Sequence, residues 1–104
     1  MNHHYDVQEI TQFSTALLVA AGLDEEKAQA VAEILVEGDL MGHTTHGLQL
    51  LSPYLGEIQS GRMPVSGEYE GISKRAAVQT WDGHYLPGPW LIIKAMETAE
   101  LMAR

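Results

Sequence analysis

The sequence has no cysteine, which excludes a disulfide framework and any thiolate metal site. Basic residues are scarce: six Lys and Arg stand against 14 Asp and Glu, a formal charge of −8 at pH 7. Such a chain is a poor partner for a nucleic-acid backbone or an anionic membrane surface. No apolar run approaches the ~20 residues that span a bilayer, and the N-terminus lacks the basic-then-apolar plan of a signal peptide. These absences are read as a cytoplasmic protein with no nucleic-acid partner and no membrane partner. Signature loops are missing too. No G-x-G-x-x-G follows a strand, and no G-x-S-x-G, phosphate loop or paired-carboxylate motif occurs, so neither a Rossmann nucleotide fold nor a serine-hydrolase elbow is supported.

What is present is helical. Hydrophobic residues make up 45% of 104 positions, enough for the core of a single small domain. Asp6 is an N-cap candidate, followed by Val7, Ile10, Phe13, Leu17, Leu18 and Ala21 at helical spacing, with Gly22 as the stop. This predicts a helix over about 7–21. Asp24 opens a second over about 24–40, with Glu25 and Glu26 where the helix dipole favours acid. Its apolar stripe is Ala28, Val31, Ala32, Leu35 and Val36, with Gly42 beyond its end. A third segment, about 46–59, carries Leu48, Leu51, Leu55 and Ile58, and Ser52-Pro53 is expected to break it near residue 52. Residues 62–71 read as a connector, 76–81 as one short strand, and Asp82-Gly83 as a turn. A last helix, about 89–104, carries Ile92, Ala95, Met96, Ala99 and Met102 and runs to Arg104 without a stop signal. The expected fold is therefore mostly α, about four helices with a short β segment, at most a short strand or hairpin between Tyr69 and Trp81. The unfinished last helix is read as the front part of a longer protein.

The stretch Gly42-His43-Thr44-Thr45-His46-Gly47 between the second and third helices stands out. Histidine exchanges protons near neutral pH, and glycine-flanked loops at helix junctions commonly carry sites. A helix stop, a capping threonine and a hydrogen-bonded histidine explain the same six residues. Asp39 lies at the negative end of the second helix dipole, where a carboxylate is disfavoured. Either it turns outward into solvent or it turns toward the loop and accepts hydrogen bonds from donors among residues 42–47. His43-x-x-His46 has metal-ligand spacing, but no further ligands are evident nearby, so no metal is assigned.

The run Val31–Leu48, followed by Tyr54 and Gly61, resembles the start of the malate/L-lactate dehydrogenase family of NAD(P)-dependent oxidoreductases, which includes ureidoglycolate dehydrogenase and diketogulonate reductase. Asp39, Gly42, Thr45, His46, Gly47, Tyr54 and Gly61 match the family pattern A-D-x-x-G-x-x-[ST]-H-G followed by Tyr and Gly. Asp82-Gly83 and Gly88 resemble a later D-G-x-x-G-x-G segment. The resemblance implies the N-terminal helical part of a larger α/β enzyme acting on 2-hydroxy and 2-oxo acids with NAD or NADP, as a homodimer. It implies His46 as the proton donor or acceptor, with Thr45 and Gly47 near substrate and cofactor and Asp39 behind them. Many members carry an arginine four residues after the motif histidine, suited to clamping a carboxylate; here that position is Leu50. Two readings compete with the enzyme: a helical dimerisation or interaction module without catalysis, and a metal-binding regulator using His43 and His46.

Overall fold

The structure, a computed structural model, describes residues 6–43, 46–75 and 77–104. The described residues form four α-helices and a two-stranded antiparallel sheet: α1 Val7–Ala20, α2 Glu25–Leu40, α3 Leu51–Gln59, β1 Glu70–Lys74, β2 Gln79–Asp82 and α4 Gly88–Met102. Local chemistry explains the helix starts. Asp6 and Asp24 are extended N-caps whose carboxylates accept from Glu9 N at 3.1 Å and Lys27 N at 3.0 Å, each taking up a donor that the first turn cannot satisfy. None of the described helices is long and apolar enough to cross a membrane.

Two elements depart from the sequence expectation. The break in the third segment comes before Ser52: a 3-10 turn over Leu48–Leu50 runs straight into α3 at Leu51. Pro53 then lies in the first turn of α3, where its missing N–H would have had no intrahelical acceptor. The expected strand over 76–81 is β2, shifted to Gln79–Asp82, and Ala76 lies outside the described residues. Its partner β1 falls partly in the expected connector. Every residue of β1 is exposed, so it carries none of the alternation that marks a half-buried strand. The register pairs Glu70 with Asp82 and Lys74 with Gln79, with an irregularity between Gly71 and Ser73.

Helix α2 lies at the centre. One face joins Leu18, Leu23, Ala28, Val31, Ala32, Leu35 and Ile58 in a buried cluster, with Leu48, Leu50, Leu51, Tyr54 and Leu55 packed around it. The α2 stripe is buried as its spacing predicts, but in α1 only Ser14 and Leu18 are fully buried and Phe13 is 59% exposed. The other face of α2 holds Ala30 against Leu86 and Trp90. There Lys27 is buried: its ammonium lies 3.9 Å from the Trp90 ring centroid and 2.8 Å from Asp24 Oδ2. The charge is therefore paired on one side and faces an aromatic ring on the other. Tyr69 stacks on Trp81 with centroids 3.8 Å apart and leans on Trp90 at 6.2 Å, which ties the hairpin to α2 and α4.

Trp90, in the first turn of α4, is 1% exposed and meets both α2 and Tyr69 at the start of the hairpin. Trp90→Ala is expected to cost about 3–5 kcal/mol, the range for deleting a buried aromatic, measured by urea unfolding followed by far-UV circular dichroism; a loss under about 1 kcal/mol would contradict this account of the second cluster.

The hydrogen bond from Lys94, at 2.7 Å, holds the Glu26 carboxyl below its ordinary value of 4.5. Burial pushes the Asp24 carboxyl up, but hydrogen bonds from the Lys27 side chain and backbone outweigh it and leave it below 3.8. A carboxyl depressed in the folded state stabilises above its unfolded pKa and loses that contribution as pH falls through the folded value. The thermal midpoint should therefore fall progressively as pH is lowered below 4.5, and a midpoint that holds constant down to pH 2.5 would refute the assignment.

Candidate functional site

The loop after α2 is built by the end of the helix. Gly42 has φ +81° at the position after the C-cap Met41, a left-handed conformation open to glycine at no steric cost. Its N–H donates to Asp39 O at 3.0 Å and His43 N donates to Gly38 O at 2.9 Å, so the last turn closes as a Schellman motif. His46 N then donates to His43 O at 2.9 Å and Leu50 N to Gly47 O at 2.9 Å. Thr44 and Thr45 lie outside the described residues, so the expected position of Thr45 near substrate and cofactor is without a structural description.

Asp39 turns toward the loop. It is half-buried, and its Oδ2 accepts from Leu48 N at 3.0 Å. The donor lies one residue beyond the stretch in which the sequence placed it. Leu48 is the first residue of the 3-10 turn, and its N-cap Gly47 has no side chain to satisfy it. Asp39 therefore caps from the neighbouring helix. A Cβ on the buried Gly47 would overlap Asp39 Oδ1, so the missing side chain at 47 is what admits the carboxylate. Gly38 works the same way from α2: a Cβ there would stand 2.6 Å from His46 O. The His46 carbonyl and the Gly47 backbone are thus packed against α2, while the histidine itself is exposed.

The other candidates fall elsewhere. His43 is exposed, and among the described residues neither it nor His46 joins a group of three potential metal ligands. Such a group forms instead at the mouth of the hairpin, where Glu70, Asp82 and His84 bring ligand atoms within 4.8 Å of one another. All three are exposed, and the His84 ring lies 3.2 Å from Glu70 and 3.6 Å from Asp82. Asp82 Oδ1 also accepts from His84 N at 2.8 Å, and His84 and Tyr85 both have positive φ. The sequence signalled only the Asp82-Gly83 turn, because β1 gave no pattern that would have brought Glu70 beside it. Leu50 is half-buried against the α1–α2–α3 cluster and offers no cation. Arg62 is exposed and engaged with Ser60 at 3.2 Å and Glu57 at 3.3 Å. Tyr54 is half-buried in the same cluster, and burial pushes its phenol up. A groove of about 650 Å³ runs between β2 and α4, lined by Trp81, Gln79, Ala95, Ala99 and Met102, and it includes no described residue of the loop.

A helical layer with exposed histidines on the loop after its central helix is a fold found in dehydrogenases. The structure matches malate dehydrogenase from Entamoeba histolytica with a TM-score of 0.91 at 26% identity, over 99% of this chain and 29% of that one. It matches malate dehydrogenase from Pyrococcus horikoshii with a TM-score of 0.89 at 27% identity, over 98% of this chain and 31% of that one. In sequence it is 32% identical to the malate/(S)-sulfolactate dehydrogenase of Methanothermus fervidus over 83 residues, 80% of this chain and 24% of that protein. The chain belongs to the malate/L-lactate dehydrogenase family, whose profile residues 5–104 match. It spans about a quarter of the length of these curated relatives: 22% for hydroxycarboxylate dehydrogenase B of Escherichia coli, to which it is 27% identical over 78% of its own length.

The contact of Gly38 with the His46 carbonyl gives a direct test of the clamp. Gly38→Ala forces backbone against backbone, and overpacking of this kind is expected to cost about 1–3 kcal/mol; a thermal midpoint equal to the parent's would show that α2 and the loop are not held together.

Proposed function

We propose that this chain is the N-terminal part of an NAD(P)-dependent oxidoreductase that interconverts 2-hydroxy and 2-oxo acids, with His46 as the proton donor and acceptor. The observation that carries this reading is an exposed histidine whose flanking backbone is packed against α2 through Gly38, Asp39 and Gly47. The relatives' names support the substrate class: malate, sulfolactate and hydroxycarboxylate are hydroxy acids. The nicotinamide, when bound, supplies or takes the hydride at the substrate carbon. His46 gives a proton to the carbonyl oxygen as the 2-oxo acid is reduced and takes one from the hydroxyl in the reverse direction. An exposed imidazole on a held backbone fits that task, and Thr45 and Gly47, its neighbours in sequence, are assigned to the vicinity of substrate and cofactor. Leu50 packs against the core and offers no cation, so in this proposal either another cation binds the substrate carboxylate or the substrate differs from that of members with arginine there. A homodimer is part of the proposal, supported by the face of α4 on which Ile92 is 59% and Met96 68% exposed. A cytoplasmic location and the inactivity of the isolated chain belong to the same proposal, the latter supported by a chain that spans about a quarter of its curated relatives.

The test is a chimera in which this chain replaces the corresponding segment of the Pyrococcus horikoshii enzyme, assayed with NADH and NADPH against a panel of 2-oxo acids. The chimera is expected to turn over and the isolated chain is not. His46→Gln is expected to lower turnover by about 10²–10⁴-fold, the usual worth of a positioned acid–base group, with the circular dichroism spectrum unchanged. A His46→Gln chimera as fast as its parent would rule out the assigned role. An inactive chimera together with a dimeric isolated chain would favour the interaction-module reading.

A further inference from the structure

Asp39 occupies a position that the local energetics of α2 disfavour. It is the penultimate residue of the helix, where the backbone carbonyls concentrate negative charge. Its carboxylate is instead directed across the loop to the start of the next helical segment, where unpaired N–H groups concentrate positive charge. Three contacts converge there. Oδ2 accepts from Leu48 N, Oδ1 packs on the bare Cα of Gly47, and Gly38 stands against the carbonyl of His46. With His46 N donating to His43 O, the backbone of His46 is held through its own N–H, its own carbonyl and the amide two residues beyond.

We propose that Asp39 is a positioning residue for His46: by capping Leu48 through the opening left at Gly47, it sets the backbone from which the imidazole projects and so the direction in which the ring points. An N-cap on residue 47 itself would satisfy Leu48 equally well, since Ser, Thr and Asp do this routinely. It would leave the loop independent of α2. Capping from α2 couples the loop to the most buried helix of the chain, and this is the added consequence of placing the carboxylate at 39 and glycine at 47. The proposal rests on the reading of His46 as the proton-transfer residue. A proton donor is effective only within hydrogen-bond reach of its target, so its direction matters as much as its presence.

The test uses the 104-residue chain and reads the His46 side chain directly by NMR, through its χ1 couplings, beside hydrogen exchange at the Leu48 amide. The parent is expected to show one His46 rotamer and a protected Leu48 amide. Asp39→Ala should average His46 over rotamers and lower Leu48 protection at least tenfold. Asp39→Asn, which keeps an acceptor oxygen, should restore both. Gly47→Ala, whose methyl displaces the carboxylate, should repeat the Asp39→Ala result, and it decides the matter with Asp39→Asn if Asp39→Ala does not fold. A single His46 rotamer in Asp39→Ala or Gly47→Ala, with Leu48 exposed, would leave Asp39 as a cap alone and overturn the proposal. Rotamer averaging in the parent would overturn it too. Failure of the functional reading is separable: a His46→Gln chimera that keeps full turnover would remove the role of His46 without altering these spectra.

Discussion

Helix α2 is buried on two sides at once, and most of the structure follows from that constraint. On one side Ala28, Val31, Ala32 and Leu35 meet α1 and the α3 segment. On the other, Ala30 and Lys27 meet Trp90. Small residues at 28, 30 and 32 allow neighbours to approach from both directions. A lysine can share this crowded surface only because Asp24 neutralises it and the Trp90 ring accepts its charge. With the helix held from both sides, its C-terminal end is a fixed point from which a loop can be built.

That end carries an exchange between steric absence and electrostatic placement. Two glycines remove the side chains that would keep α2 and the loop apart, one at 38 and one at 47. The space at 47 is taken by the carboxylate of Asp39. A charge badly placed for its own helix becomes well placed for the next one, because the start of one segment lies over the end of the other. The geometry that makes this local bargain favourable also orders the backbone around the exposed His46.

The site is open on the side away from α2. His46 is exposed, a groove of about 650 Å³ lies between β2 and α4 with no described residue of the loop in its lining, and the apolar residues Ile92 and Met96 are exposed. These features suit a segment that spans about a quarter of its curated relatives. In the proposed enzyme the chemistry is divided: this segment supplies the proton through His46, and the hydride and the substrate clamp come from other groups.

The helices and their caps were legible in the sequence because their determinants are local. Asp6, Asp24, Gly22, Gly42 and Gly61 act within a turn of their own positions, and the α2 stripe repeats at a period set by the helix alone. The candidate loop was legible for the same reason, together with a resemblance carried by its spacing. What spacing left open was decided by contacts between distant residues. Asp39 read equally well as solvated or turned inward until α2 and the Leu48–Leu50 turn were seen packed together. The strand β1 carried no alternation because neither of its faces is buried, so only pairing with β2 defines it. The burial of Lys27 was not legible, since a buried charge is favourable only beside Asp24 and Trp90, and Trp90 arrives from sixty-three positions further along the chain. Propensity and capping are properties of neighbours in sequence; the direction of a carboxylate, the burial of a lysine and the pairing of an exposed strand are properties of neighbours in space.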